Sequence, residues 1–281
     1  MYHFVPPKRI RKFQKYNYVK FEDVPAADFD AIRTKMEKLQ SDEPLVTVGL
    51  IAYNEQNYIL ATLASLAETR CPFPIEIIVV NNNSTDDTQK FIDRCGVKGV
   101  RETRQGYPFA RQAGLHAARG KYFISGDTDT IYTSRWVELM VRPMQRNPFI
   151  VCTYSLHAFY RDDNKYPVGL QFYQYAKLIG IYSKDVSRPQ LNCGGASMAF
   201  PVETAMKFGG YNTQLVRGSD GYMALQLSDY GKIKMVADQQ AVIYTNMRRT
   251  DNDGSLIQAF WIRFKYNIRY IFSNFTKQKE R

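Results

Sequence analysis

Eight consecutive residues, Leu45-Val46-Thr47-Val48-Gly49-Leu50-Ile51-Ala52, form a nearly unbroken apolar run. A strand with one wet face alternates apolar and polar residues, whereas a parallel strand covered on both faces does not. Ile75-Glu76-Ile77-Ile78-Val79-Val80 repeats the pattern, and Tyr122-Phe123-Ile124 after Gly120 is a shorter version. Helical periodicity fills the gaps: Ile59, Leu60, Leu63 and Leu66 within 57–69, then Thr88 to Cys95, then Phe109 to Ala118. Val97 to Thr103 reads as one more strand. This alternation predicts a mostly parallel, doubly wound α/β sheet with helices on both faces and right-handed crossovers.

The pattern loosens after about residue 150. Ile150 to Tyr154 looks like a strand, and a Tyr-rich stretch to 190 carries no decodable periodicity. Beyond it the spacing predicts an apolar run at Met198-Ala199-Phe200, helices over 202–208 and 222–230, and strands over 232–237 and 241–244. The expected organisation is a basic N-terminal extension (1–44), a first half of the main domain (45–150), a second, mixed half of the same domain (151–250), and a basic C-terminal helix (251–281). Within the extension, residues 1–25 read as extended and 27–40 as a short polar helix.

The 281 residues carry a formal net charge of +11, concentrated at the two ends. Such charge suits an anionic partner such as nucleotide phosphate or anionic lipid. Nucleic acid is not expected, because no recognition motif accompanies the charge. No apolar run reaches the roughly 20 residues that span a bilayer, and no signal-peptide core opens the chain. Cys71, Cys95, Cys152 and Cys193 show no paired spacing, which fits reduced thiols and a cytoplasmic setting. In the C-terminal stretch Ile257, Trp261, Phe264, Ile268, Ile271 and Phe275 recur at helical spacing with Arg263, Lys265 and Arg269 interleaved. A basic amphipathic helix of this kind lies on a membrane surface or packs on its domain.

Polar residues collect where the apolar runs end. The first run closes in Ala52-Tyr53-Asn54-Glu55, the second in Asn81-Asn82-Asn83-Ser84, and the Tyr122 strand in Gly126-Asp127-Thr128-Asp129. In an open α/β sheet, ligands bind beyond the carboxyl ends of the strands. Two carboxylates one residue apart there can address a hard cation, which completes its shell with water and phosphate. A helix carries Ala110-Arg111-Gln112-Ala113-Gly114; further on come Cys193-Gly194-Gly195-Ala196, Gly209-Gly210-Tyr211 and Ser219-Asp220.

The order and spacing of these motifs over about 45–245 resemble glycosyltransferase family 2 with the GT-A fold. The resemblance implies a nucleotide-sugar half at 45–150 and an acceptor-side half at 151–250. It implies donor-binding roles for Ala52, Tyr53, Glu55, Asn82, Arg111, Asp127 and Thr128. Asp129, with Asp127, would hold a divalent cation, Mn²⁺ or Mg²⁺; Gly194 and Gly195 would border the acceptor; Asp220 would be the general base of an inverting transfer. The implied partners are a nucleoside diphosphate sugar, with uridine favoured over guanosine, and a glycan or lipid-linked acceptor, at the inner face of a membrane if 255–281 binds it. Three departures stand out. Asn81-Asn82 replace an Asp pair common in the family, no His follows Asp238 as a further metal ligand, and the Trp motif of processive synthases is missing. The last favours transfer of a single sugar. Two rivals are a sugar nucleotidyltransferase, which would need a Gly-rich, Lys-bearing loop after the first strand, and a binding module without turnover.

Overall fold

The computed structural model describes residues 4–163, 165–215 and 217–248. In chain order the elements are α1 (Lys8–Arg11), α2 (Ala26–Leu39), β1 (Val46–Ala52), α3 (Ile59–Leu66), β2 (Ile75–Asn81), α4 (Thr88–Arg94), β3 (Lys98–Arg101), α5 (Tyr107–Ala117), β4 (Tyr122–Asp127), β5 (Thr130–Ile131), α6 (Trp136–Arg146), β6 (Ile150–Ser155), β7 (His157–Tyr160), α7 (Val168–Ser187), β8 (Met198–Pro201), α8 (Val202–Met206), α9 (Ser219–Leu227), β9 (Lys232–Val236) and β10 (Ile243–Asn246).

The main sheet has the order β3-β2-β1-β4-β8-β6-β9. Strands β3, β2, β1 and β4 are parallel, as the apolar runs predict. β8 runs antiparallel to both β4 and β6, and β9 is parallel to β6, which makes the second half of the sheet mixed. A small second sheet, β5-β10-β7, closes over the end of β4. α5 packs on β1 and β2, and α6 on β6 and β8.

Two polar exceptions inside the runs explain themselves. Glu76, almost fully buried in β2, accepts from Thr47 Oγ1 at 2.6 Å and from Arg119 N and Nε, each at 2.8 Å. Its charge is therefore met at the amino end of the sheet, far from the strand ends that carry Asn81 and Asp127. Gly120 precedes β4 because a Cβ there would lie 2.6 Å from Thr47 N and 2.7 Å from the Val46 carbonyl carbon.

The structure corrects two expectations. Residues 8–16 are helical turns, not extended chain: α1 runs into a 3₁₀ turn at Lys12–Tyr16. Ile10 and Phe13 bury into the core, and this turn packs on α3. Residues 168–187, where no pattern was legible, form the 20-residue helix α7. Its inner face buries Leu170 and Tyr173, while Val168, Phe172, Ile179 and Val186 are 73–90% exposed. All four cysteines are free thiols. Among the described residues, no helix is long and apolar enough to cross a membrane. The C-terminal helix expected over 251–281 lies outside the described residues.

Candidate active site

The register sets the level of the site. Ile51 pairs with Asp127 and Ala52 with Asn81, so β1, β2 and β4 end side by side. Beyond them opens a cleft of about 380 Å³. It is lined by Ala52, Tyr53, Glu55, Asn82, Arg111, Asp127, Thr128, Gly195 and Asp220, nine of the residues singled out in the sequence. Gln105, Gly106 and Tyr107 complete one wall.

The loops after β1 and β2 are latched to each other. Asn54 N donates to Ser84 Oγ (3.0 Å), and Asn54 Oδ1 accepts from Thr85 N (2.8 Å). Gln56 N donates to Asp86 Oδ2 (3.1 Å) and Glu55 N to Thr88 Oγ1 (2.8 Å). Asp86 also accepts from Thr88 N at 3.0 Å, satisfying a donor at the start of α4. Asn82 is 3% exposed. Its amide donates to the carbonyls of Glu102 (3.1 Å) and Arg104 (2.7 Å) and accepts from Gly106 N (2.9 Å). The side chain thus shapes the 102–106 wall of the cleft. Tyr53, half exposed, presents its ring to the opening.

Arg111 is buried and central. Its guanidinium donates to the Gly126 carbonyl (2.6 Å) and to Asp127 Oδ1, and its Nε lies 3.7 Å from Asp220 Oδ1. Burial opposes its charge, but the carboxylates of Asp127 and Asp220 more than compensate and hold it firmly protonated. One cation therefore ties a carboxylate at the end of β4 to another in the first turn of α9. A Cβ at Gly195 would lie 2.7 Å from Arg111 Cζ. The guanidinium is pinned and cannot step aside cheaply, so glycine is what the space permits. Gly194, by contrast, is exposed and does not line the cleft.

Asp220 follows Gly218, whose φ of 82° turns the chain into α9. Its side chain is 19% exposed. Burial raises its pKa above the ordinary carboxylate value; Arg111 opposes the rise and Asp127 adds to it. A carboxylate with a raised pKa is, when ionised, a better proton acceptor than a solvated one.

Asp127 and Asp129 diverge in environment. The Asp127 backbone is braced by Tyr132, whose hydroxyl accepts from Asp127 N (2.8 Å) and reaches the Asp127 carbonyl (3.1 Å). Thr128 faces inward, donating to the Ile51 carbonyl at 2.9 Å. Asp129 is 1% exposed and lies outside the cleft lining. Its carbonyl accepts from Asn246 N (3.1 Å), which brings the end of β10 to the acid pair. Arg248, just beyond β10, pairs with Glu55 and lies 3.3 Å from Asp129 Oδ2. The sequence reading missed Arg248 and Tyr132. Among the described residues, no three His, Cys, Asp or Glu side chains converge to cage a metal. Carboxylate oxygens such as those of Asp127 and Asp129 are of the hard kind that divalent cations prefer.

The residue pattern of glycosyl transferase family 2 matches residues 47–204, more than half of the chain. An uncharacterized glycosyltransferase of Haemophilus influenzae is 31% identical over 113 residues, 38% of this chain and 35% of that protein. The chain thus spans about a third of the length of this curated relative. Among solved structures, the mannosyltransferase PcManGT from Pyrobaculum calidifontis, in complex with GDP-Man and Mn²⁺, superposes with a TM-score of 0.57 at 20% identity, over 85% of this chain and 73% of that one. Glucosyl-3-phosphoglycerate synthase from Mycobacterium tuberculosis, in complex with Mn²⁺, UDP-glucose and phosphoglyceric acid, superposes with a TM-score of 0.50 at 18% identity, over 82% of this chain and 76% of that one. At these identities the superpositions establish a shared fold.

Proposed function

The chain belongs to glycosyl transferase family 2, and from that premise we propose that it moves one sugar from a nucleoside diphosphate donor to a hydroxyl of a glycan or lipid-linked acceptor, with inversion. The observation that carries the reading is the Arg111 bridge, which sets the donor-side carboxylate of Asp127 and the acceptor-side carboxylate of Asp220 around one cleft. Tyr53 and the backbone at Ala52 border the base, and Asn82 contributes by holding the 102–106 wall. The uridine nucleotide is favoured, as in the mycobacterial synthase, with guanosine, as in the archaeal mannosyltransferase, as the rival donor.

Asp220 takes the proton of the acceptor hydroxyl as its oxygen bonds to the anomeric carbon and the bond to the diphosphate breaks on the opposite face. Its raised pKa makes its ionised form a stronger base than a solvated Asp. Arg111 orients both carboxylates and keeps them from repelling each other. A divalent cation, Mn²⁺ or Mg²⁺, held by Asp129 and Asp127 together with donor phosphates, would neutralise charge on the departing diphosphate.

Thermal unfolding with UDP- and GDP-sugars, with and without Mn²⁺, tests the donor site. A ligand at 100 times its Kd stabilises by about 2.7 kcal/mol, a melting shift of several degrees for a domain of this size. The expected outcome is a Mn²⁺-dependent shift with one nucleotide that Asp129→Ala abolishes. The absence of any shift with folded protein overturns the reading.

A further inference from the structure

We propose that Arg248 is a resident cation of the donor site: its guanidinium pairs with both Asp129 and Glu55 before donor binds, and it releases Asp129 to a divalent ion when a diphosphate arrives to take up its charge. The proposal rests on the reading of the cleft as a nucleotide-sugar site.

Three segments far apart in sequence build the arrangement. Glu55 follows β1 and lines the cleft, Asp129 follows β4, and Arg248 follows β10. The bond from Asn246 N to the Asp129 carbonyl fixes the approach of the last segment. The Arg248 guanidinium contacts both acids and lies 4.6 Å from the centroid of the Tyr58 ring. A cation stacked on an aromatic face and bonded to two carboxylates is a built position. Its side chain is 28% exposed, against 7% for Glu55 and 1% for Asp129. The charge that shields the acids is thus the one that reaches solvent.

A guanidinium on a buried carboxylate competes electrostatically with a divalent ion for it, so Arg248 weakens metal binding at Asp129 for as long as it stays there. A diphosphate supplies what would draw it off, since guanidinium binds phosphate oxygens through paired hydrogen bonds. Metal and nucleotide then tighten each other's binding by the same factor, because such coupling is reciprocal.

The test follows free Mn²⁺ by electron paramagnetic resonance in the full chain, with and without UDP, and with GDP in parallel. Wild type should bind Mn²⁺ weakly alone and at least tenfold more tightly with nucleotide. Arg248→Ala should bind Mn²⁺ alone at least tenfold more tightly than wild type, with the coupling to nucleotide reduced to what direct phosphate–metal contact supplies. Arg248→Lys, which keeps the charge but not the paired hydrogen bonds, should fall between wild type and Arg248→Ala. Unchanged metal affinity in folded Arg248→Ala overturns the proposal. So does a coupling below twofold in wild type, which serves as the deciding measurement if the alanine variant does not fold. Nucleotide binding that persists in either failure leaves the donor-site reading standing. Wild type that binds neither nucleotide under any metal condition overturns both.

Discussion

At the scale of single residues, chemistry divides along solvent access. Asp220 combines a raised pKa with a place at the cleft wall, so the pH profile should report it. A base works only when ionised, so turnover falls as pH drops through its pKa. Because that pKa is raised, the acidic limb should lie above the value of about 3.9 expected for a free Asp. Asp220→Asn should remove this limb and lower kcat by roughly 10²- to 10⁴-fold, with donor affinity unchanged by titration calorimetry. Equal loss of donor binding would instead assign Asp220 a structural task. Asp127, Asp220 and Glu55 were legible because they stand where apolar runs or turns end. Arg248 was not, since it lies 193 positions from Glu55 and 119 from Asp129 and sits in a stretch already rich in Arg. The resemblance gave Asn82 a donor-binding role; it lines the cleft, and its hydrogen bonds also hold the neighbouring 102–106 loop. Which way a side chain faces is a tertiary fact that no local pattern encodes.

At the scale of elements, the parallel strands were readable because burial on both faces leaves one signature, an unbroken apolar run. The direction of β8 was not, because Met198-Ala199-Phe200 would look the same running either way. α7 escaped notice for a related reason: apolar residues occupy its outer face as well as its inner one, which erases the contrast that marks a helix. The N-terminal turns were read as extended because charge dominates there. Two apolar anchors, Ile10 and Phe13, decide their fate by docking on the core. Phe13→Ala should therefore cost about 3–5 kcal/mol, read from the shift in denaturant midpoint. A change below 0.5 kcal/mol would mean that the segment is not integral to the folded unit.

For the whole molecule, the order of motifs along the chain carried the fold, and strand-end convergence assembled most of the site. The sugar and the acceptor stayed illegible, since both depend on the shape of the acceptor side rather than on a motif. Charge adds one expectation at this scale. With +11 overall and basic residues alternating with apolar ones in 255–281, that segment is proposed as the membrane contact. Co-sedimentation with anionic liposomes should be strong at low salt and should fall sharply when 255–281 is deleted. Undiminished binding of the deleted form would move the contact elsewhere.

The missing Cβ of Gly195 also bears on descent. Arg111 fills the space that any side chain at 195 would need, so the two positions can change only in a permitted order. A lineage that keeps Arg111 is confined to glycine at 195, while one that first loses the arginine is released to explore larger residues there. Related sequences should therefore contain three of the four combinations, Arg with Gly, non-Arg with Gly and non-Arg with a larger residue, and should lack Arg111 paired with anything larger than glycine.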